Sequence, residues 1–287
     1  MLKFLYFKQI SVEEIFKAVV LGIIQGVTEF IPISSTAHLR VIPALLGWKD
    51  IGAAYSAVIQ IGTLIATVIY FKKDIFSLSN GFLNALKKKD FFSNTESRIF
   101  ILIILGTIPI SVCGLFFKRF IENDARGLYV ISGTLIFFAI ILFVSEKIST
   151  KKKDFDQITI KDGIIIGCAQ ALALIPGSSR SGVTISAGLL TGLKRDVAAR
   201  FSFLLSIPAI ALSGSYELYK ERSALLNENL LGLTLATLVS GFVGYISIAF
   251  LISYLKTKSN LIFIIYRISL GIIVLILLSK GILQNLE

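Results

Sequence analysis

Charged residues are scarce in this sequence. Asp, Glu, Lys and Arg make up only 16% of its 287 residues, whereas a soluble globular domain carries about 25%. That is too little charge to cover a water-facing surface, which excludes an ordinary soluble domain. Histidine and cysteine are also rare, with one His and two Cys. Cys113 and Cys168 both lie in apolar segments, so we expect neither a disulfide nor a cysteine-based metal site.

Long apolar runs take the place of the missing charge. Hydrophobic residues make up 55% of the chain, and the mean hydropathy is +0.81. A helix needs about 20 largely apolar residues to cross a hydrocarbon core of about 30 Å. Six runs fit this requirement: Ala53–Phe71, Ile99–Phe117, Leu128–Ser145, Ala198–Leu218, Leu230–Ser253 and Leu261–Ser279. They do not alternate as barrel strands would, so the sequence predicts an all-α polytopic membrane protein, one integral domain over residues 1–287.

Positive charge collects in the segments between the apolar runs. The formal net charge is +11, with basic clusters at Lys72–Lys73, Lys87–Lys89 and Lys151–Lys153. In a soluble protein such charge would suggest nucleic acid, but beside membrane spans it is typical of cytoplasmic loops next to anionic lipid. We therefore expect no nucleic-acid partner. A modest excess of Lys and Arg on this side of the membrane predicts that both termini lie outside.

Two regions, Ile15–Gly47 and Gly163–Gly192, consist of apolar pieces interrupted by Pro and paired Ser. Such breaks survive at membrane depth only where protein or a wet cavity surrounds them, so each region is predicted to be a re-entrant helical hairpin. The regions resemble each other: Gly22-Ile-Ile-Gln25 recurs as Gly167-Cys-Ala-Gln170, and Pro32-Ile-Ser-Ser35 as Pro176-Gly-Ser-Ser179. We expect two repeats, about 11–146 and about 160–280. Each has a hairpin and three spans, and this odd number of crossings predicts inverted topology.

The first break concentrates polar side chains inside apolar sequence. Its members are Gln25, Glu29, Ser34, Ser35, Thr36, His38 and Arg40. Intramembrane polar groups are costly and by default indicate function. Gln25 and Glu29 are four residues apart and share a helix face. Taken alone, the serines could simply cap a helix and the Glu could belong to a packing network, but the combination favours a nucleophile with acid and base groups.

The second break has a different chemistry. Pro176-Gly-Ser-Ser-Arg-Ser-Gly-Val-Thr184 supplies hydroxyls and one fixed positive charge. The candidate ligand-binding residues are Ser178, Ser179, Arg180, Ser181 and Thr184. Arg matches phosphate oxygens bidentately, and a helix restarting here would add free N–H groups. The pattern therefore predicts a phosphate cradle, with plain helix capping as the simpler alternative.

The two motifs resemble those of a known family. Gln25-Gly-Val-Thr-Glu29-Phe-Ile-Pro-Ile-Ser-Ser-Thr-Ala-His38 and Pro176-Gly-Ser-Ser-Arg-Ser-Gly182 are similar to the motifs of the undecaprenyl-diphosphate phosphatase (bacitracin-resistance) family, and the hydropathy pattern fits throughout. Two positions depart from the family: Gln25 stands where many members have Glu, and Ala37 where Gly is common. Gln25 can ligate through oxygen but adds no negative charge.

The resemblance implies an activity, a location and a cofactor. The family removes one phosphate from a C55 polyprenyl diphosphate, which recycles the lipid carrier of bacterial cell-wall precursors. It implies the bacterial inner membrane, a polyprenyl diphosphate substrate among membrane lipids, and a divalent cation, Mg or Ca. It leaves a homodimer open.

Roles for individual residues follow as hypotheses. Ser35 is the expected nucleophile, His38 the proton-transfer group, and Glu29 the base or metal ligand. Arg180 and the second-break hydroxyls would hold the diphosphate, with Gln25, Ser34 and Thr36 as further substrate-binding residues. Direct attack by His38 is the alternative. A transporter or flippase for a phosphorylated lipid or anion is the competing function, since broken helices are typical of transporters. We also expect Ser35 and Arg180 to converge, and the site to open outward.

Overall fold

The fold is entirely helical in the part of the chain that can be described. The computed structural model describes residues 11–92, 94–117, 119, 121, 124–221 and 230–285, and within them eleven α-helices and no strand. The helices are α1 (Val12–Phe30), α2 (Ser35–Leu45), α3 (Gly52–Tyr70), α4 (Lys72–Lys88), α5 (Thr95–Phe116), α6 (Leu128–Ile148), α7 (Ile160–Ala171), α8 (Arg180–Leu190), α9 (Arg195–Lys220), α10 (Leu230–Leu255) and α11 (Leu261–Ser279). The predicted all-α class is confirmed.

Six of these helices are long and apolar enough to cross a membrane. They are α3, α5, α6, α9, α10 and α11, the same six runs that the sequence indicates. Their bounds differ from the predicted ones by a few residues at most, and Leu261–Ser279 coincides at both ends. The largest extension is at the start of α5, where Asn94 accepts from the Ser97 N–H and caps the helix four residues before the apolar run begins.

The two interrupted regions do form helix–break–helix units. The first is α1 and α2, and the second is α7, a short 3₁₀ turn (Leu172–Leu174) and α8. With 19 residues, α1 is longer than the sequence suggests, but it carries four charged residues and is not among the six candidate spans. The other three helices have 11 or 12 residues, too few to cross a bilayer. Re-entry of the two units remains a prediction.

The two breaks share an unusual backbone. Ser34 has φ of 76° and ψ of 102°, and Ser179 has φ of 70° and ψ of 109°. Positive φ is uncommon for residues with a side chain, yet it recurs here at the N-cap of the second helix in each unit, one position off the alignment of the two Pro-Xaa-Ser-Ser motifs. Each serine side chain also accepts the backbone N–H three residues on, at Ala37 and at Gly182. The resemblance between the two regions therefore extends from sequence to backbone conformation.

Helices of the two halves interleave. The helix α1 of the first half packs on α10 of the second half, and α7 of the second half packs on α5 of the first. Each broken unit therefore lies against a span of the other half. Small residues permit this approach: a Cβ added to Gly22 would lie 2.6 Å from the Ala236 carbonyl, and one at Gly167 would lie 2.4 Å from the Gly106 Cα. Two intertwined repeats would produce this exchange of packing partners between the halves. The opposite orientation of the repeats in the membrane remains a prediction.

The helix α4 departs from the sequence interpretation. The sequence suggested a basic loop after the first span, but residues 72–88 form a helix that packs on α5. It starts directly after α3, with Phe71 between them, and ends at Lys89, which has the left-handed conformation with φ of 55°. Lysine clusters mark both of its ends rather than the middle of a loop.

Candidate active site

The two breaks meet on one carboxylate. Glu29 lies in the last turn of α1, Ser35 is the first residue of α2, and Arg180 is the first residue of α8. Ser35 donates its hydroxyl to Glu29 Oε2 at 2.9 Å, and Arg180 Nη2 donates to Glu29 Oε1. All three side chains are largely or wholly shielded from solvent. The expected convergence of Ser35 and Arg180 is therefore present, with Glu29 between them.

Two glutamines complete the surroundings of this carboxylate. Gln25, one turn before Glu29, donates to Glu29 Oε2 at 2.8 Å, and Gln60 from α3 donates to the same oxygen at 3.4 Å. The shared face of Gln25 and Glu29 was expected from their spacing. Gln60 was missed, although a polar residue inside the first apolar span was a signal. The Gln25 Oε1 atom is buried and has no hydrogen-bond partner.

His38 has hydrogen-bond partners other than the Ser35 hydroxyl. Its Nδ1 lies 2.8 Å from the Ser34 carbonyl, and because a carbonyl only accepts, Nδ1 carries the proton. Its Nε2 lies 2.7 Å from the Tyr266 hydroxyl, which donates to it when the ring is neutral. The two rings stack, with centroids 5.6 Å apart. The geometry thus pairs Ser35 with Glu29 and leaves His38 paired with Tyr266, a residue that the sequence interpretation did not select.

The hydroxyls of the second break divide into two groups. Ser179 caps α8 and lies 3.2 Å from the Ser181 hydroxyl, while Thr184 donates to the Arg180 carbonyl at 2.7 Å. The Thr184 proton is thus committed, and Ser202 of α9 donates to Thr184 at 2.6 Å. These contacts hold the break in place. By contrast, the Ser178 Oγ is buried and has no partner. In the first break, Thr36 lies half-buried in the first turn of α2.

Arg267 is the principal site residue that the sequence interpretation missed. It lies on α11, is fully buried, and donates to the Pro32 carbonyl at 3.4 Å. Its Nη2 donates to the carbonyls of Gly177 at 3.1 Å and Ser178 at 2.8 Å, so one guanidinium connects both breaks. No carboxylate of the described residues forms an ion pair with it, and its Nε has no partner. Its signal was visible, since it is the single charge in the last apolar run.

Several buried polar atoms around the two breaks have no partner within the protein. They are Gln25 Oε1, Ser178 Oγ, Arg180 Nη1 and Arg267 Nε. Buried polar groups are normally hydrogen-bonded, so a group of such atoms indicates a ligand. Two arginines face one glutamate here, which leaves the site one positive charge in excess. Arginine donors without partners suit an anion with several oxygens, above all phosphate.

The protein groups at this site can hold a divalent cation only if a bound phosphate supplies further ligands. No group of three or more His, Cys, Asp or Glu side chains that could hold a metal exists among the described residues. Glu29 is the only carboxylate at the two breaks, with Gln25 Oε1 as an unused oxygen on the same helix face. Mg²⁺ typically uses one or two carboxylates and takes its other ligands from phosphate and water. The donor set is compatible with that mode and not with an all-protein cage.

Fold and site together define a helical multi-pass membrane protein with a polar, net positive centre where its two breaks meet. The sequence matches the family model described as bacitracin resistance protein BacA over residues 18–273. The chain belongs to this family.

Relatives of this chain carry a common name. The undecaprenyl-diphosphatase of Chloroherpeton thalassium is 52% identical over 280 residues, which cover 94% of this chain and 99% of that protein. The undecaprenyl-diphosphatase of Myxococcus xanthus is 51% identical over 265 residues, 92% of this chain and 89% of that protein. That of Chlorobium phaeobacteroides is 51% identical over 279 residues, with 94% and 99% covered. The similarity thus extends over nearly the whole length on both sides.

Proposed function

We propose that this protein hydrolyses undecaprenyl diphosphate to undecaprenyl phosphate and inorganic phosphate in the bacterial inner membrane, and so recycles the lipid carrier of cell-wall synthesis. The observation that carries the proposal is the contact between the Ser35 hydroxyl and the Glu29 carboxylate, which Arg180 holds from the other break. A protein that only bound and moved an anion would need no hydroxyl paired with a base. The names of the relatives support the same activity.

In the first step Ser35 Oγ attacks the terminal phosphorus of the diphosphate. A new Oγ–P bond forms, the bond from that phosphorus to the bridging oxygen breaks, and the prenyl monophosphate leaves with the bond's electrons. The Ser35 proton passes to Glu29 Oε2, its present hydrogen-bond acceptor. Arg180 Nη1 and the Ser178 hydroxyl have no partners in the protein and would contact the phosphate oxygens. Charge stabilisation and positioning dominate catalysis of phosphoryl transfer.

In the second step water attacks the phosphoserine phosphorus, which releases inorganic phosphate and restores the Ser35 hydroxyl. Glu29, protonated in the first step, returns a proton to Ser35 as the P–Oγ bond breaks. His38 acts in this scheme through its position at the start of α2, where it bonds the Ser34 carbonyl and the Tyr266 hydroxyl. Glu29 therefore replaces His38 as the proposed proton acceptor, and attack by His38 itself is disfavoured by those two bonds.

A divalent cation, Mg or Ca, would be held by Gln25 Oε1 and the diphosphate, with Glu29 as a further ligand once the cation displaces one of its present donors. When bound, it would supply positive charge that neutralises the diphosphate. Gln25 contributes an oxygen without a charge, so the protein alone would bind the cation weakly.

The substrate is expected to enter from within the bilayer. Its prenyl tail gains about 0.8 kcal/mol per buried CH₂ from remaining there, so only the head group needs to reach the site. The Lys and Arg distribution supports an orientation with both termini and the wet opening of the site outside. The two repeats would then be inverted, and the breaks would meet near the bilayer midplane.

Phosphate release from a C55 diphosphate by purified, reconstituted protein tests the function directly. We expect release that a chelator abolishes and that excess Mg²⁺ or Ca²⁺ restores. Ser35→Ala should eliminate release, whereas Ser186→Ala, which removes another buried hydroxyl from α8, should retain most of it. A phosphoenzyme trapped from terminally labelled substrate should map to Ser35. Mapping to His38, or near-normal activity of Ser35→Ala, would overturn the mechanism, and lipid movement without phosphate release would favour a flippase.

A further inference from the structure

The helix α4 has three distinct faces. One face, with Leu78 and Ala85, is buried against the protein, where Phe82 stacks on Phe100 of α5 with ring centroids 4.6 Å apart. A second face is apolar but exposed: Phe76 is 70% and Leu83 53% exposed. The third face is polar, and lysines stand at both ends of the helix, Lys72 and Lys87 in line with Phe76 and Leu83. A helix with one face on protein, one apolar face that ends in lysines and one polar face is suited to the boundary between protein, lipid and water.

The position of α4 identifies what covers its apolar face. It connects α3 and α5, both of which are candidate membrane spans, so its two ends are held where those spans leave the bilayer. Phe76, Leu83 and Leu86 lie seven and three residues apart, which places them on one stripe along the helix. A stripe at this depth and on this surface meets the outer part of the acyl chains.

The five lysines of this segment have no acidic partners among the residues that the structure describes. Lys72, Lys73, Lys87, Lys88 and Lys89 are exposed, and none forms an ion pair among the described residues. Elsewhere on the chain basic residues are neutralised internally: Lys153 pairs with Asp162 and Lys194 with Asp154. Lys72 and Lys73 also lie at the N-terminus of α4, where the helix dipole disfavours cations. Helix stability therefore does not explain this N-terminal pair.

We propose that α4 is an interfacial anchor that binds anionic phospholipid. Phe76, Leu83 and Leu86 enter the acyl region, and the five lysines contact headgroup phosphates along the same leaflet. A lysine near an anionic membrane surface strengthens binding by up to about five-fold, so the two clusters give this surface a clear preference for anionic over zwitterionic lipid. The site is separate from the two breaks and does not depend on the reaction proposed for them.

Tryptophan quenching by brominated lipids tests this anchor. Phe76→Trp in a Trp48→Phe background makes the α4 stripe the single fluorophore, and full-length protein is reconstituted with lipids brominated on the acyl chain. We expect quenching by both headgroup classes, and several-fold stronger quenching by brominated phosphatidylglycerol than by brominated phosphatidylcholine at equal mole fraction. Lys72→Gln with Lys73→Gln should reduce this preference. Lys256→Gln with Lys258→Gln, the same charge change between α10 and α11, should leave it intact.

The other possible outcomes of the quenching experiment would each contradict one part of the proposal. Absence of quenching by either lipid would show that the stripe does not enter the membrane. Equal quenching by the two lipids, or an equal effect of the two lysine pairs, would overturn the preference for anionic lipid. Quenching that increases when the protein is diluted in lipid would assign the stripe to a second copy of the chain.

Discussion

At the scale of single residues, Glu29 has the most connections in the site. Its two oxygens receive donors from Gln25, Ser35, Gln60 and Arg180, which lie on four different helices. A carboxylate has about four lone-pair positions, so these contacts nearly saturate it and fix its orientation. The same residue therefore serves as structural link between the breaks and as acceptor for the Ser35 proton.

Glu29→Gln should separate these two roles. Loss of the base should lower kcat by about 10²–10⁴-fold, and leaving Arg180 buried without a counter-charge should cost about 3–5 kcal/mol of stability. The double variant Glu29→Gln with Arg180→Gln should regain much of that stability without regaining activity. Phosphate release and thermal unfolding of the two variants and of the unmodified protein measure both effects. If the double variant is no more stable than Glu29→Gln, the ion pair is not what links the breaks.

Arg267→Lys tests whether the bridge between the breaks needs a guanidinium. A lysine keeps the charge, but one ammonium cannot reach carbonyls on both breaks as the planar fork does. We expect kcat/KM to fall by about 10–100-fold, about 1.4–2.7 kcal/mol of transition-state stabilisation, together with a lower Tm. Arg98→Lys is the matched control, because Arg98 also donates to two carbonyls, Ile158 and Asp156, outside the site. Arg98→Lys should lower the Tm but leave kcat/KM unchanged. A loss of kcat/KM equal to that of Arg267→Lys would contradict the role assigned to Arg267.

The sequence predicted those site residues whose polar side chains stand out within apolar segments. Glu29, Ser35 and Arg180 could be found because they interrupt apolar sequence at the breaks. Arg267 and Tyr266 could not be assigned in the same way, because their role depends on the tertiary arrangement that brings α11 side chains to His38 and to the carbonyls of both breaks. Nor does the spacing of Ser35 and His38 reveal that His38 turns to the Ser34 carbonyl and to Tyr266.

At the scale of secondary-structure elements, hydrophobic length alone located the six spans. The breaks were predicted from Pro and paired Ser, and the common backbone of Ser34 and Ser179 gives part of the physical reason: each serine caps the second helix of its unit. The helix α4 escaped prediction because the spans were sought as long apolar runs, and its 17 residues mix apolar side chains with four lysines. Its apolar residues do recur at helical spacing, so the amphipathic pattern was available in the sequence.

The contact between α5 and α7 depends on glycine. A Cβ on Gly167 would lie 2.4 Å from the Gly106 Cα, and such a contact is relieved only by moving the helices apart. Gly167→Ala should therefore destabilise the protein by about 1–3 kcal/mol, seen as a lower Tm in detergent. Gly133→Ala on α6 is the control, since open space surrounds it and alanine favours a helix by about 1 kcal/mol. An unchanged Tm for Gly167→Ala would mean that this helix contact is loose.

At the scale of the whole molecule, the interleaving of the halves explains why both breaks share one site. Because α1 packs on a span of the second half and α7 on a span of the first, neither half can assemble its break alone. The sequence indicated the repeats through short recurring motifs. It could not indicate the exchange of partners, which is decided by small residues on helices far apart in the chain, such as Gly22 against Ala236.

Membrane orientation is the property of the whole molecule with the most direct bearing on function. The excess of Lys and Arg beside α4 and after α6 favours the cytoplasmic side for those segments. The opposite end of the bundle, with Lys220 at the end of α9, should then lie outside. If so, the two breaks are reached from the side where cell-wall export leaves the lipid diphosphate.

Impermeant thiol labelling of single-cysteine variants tests this orientation. With Cys113 and Cys168 replaced by Ala, Lys88→Cys and Lys220→Cys place one exposed thiol at each end of the bundle. In intact spheroplasts we expect rapid labelling at 220 and labelling at 88 only after the membrane is permeabilised. Both variants must retain phosphate release, so that the labelled protein is folded. The opposite pattern would reverse the orientation, place the phosphate site on the cytoplasmic side, and require the diphosphate to be returned across the membrane before hydrolysis.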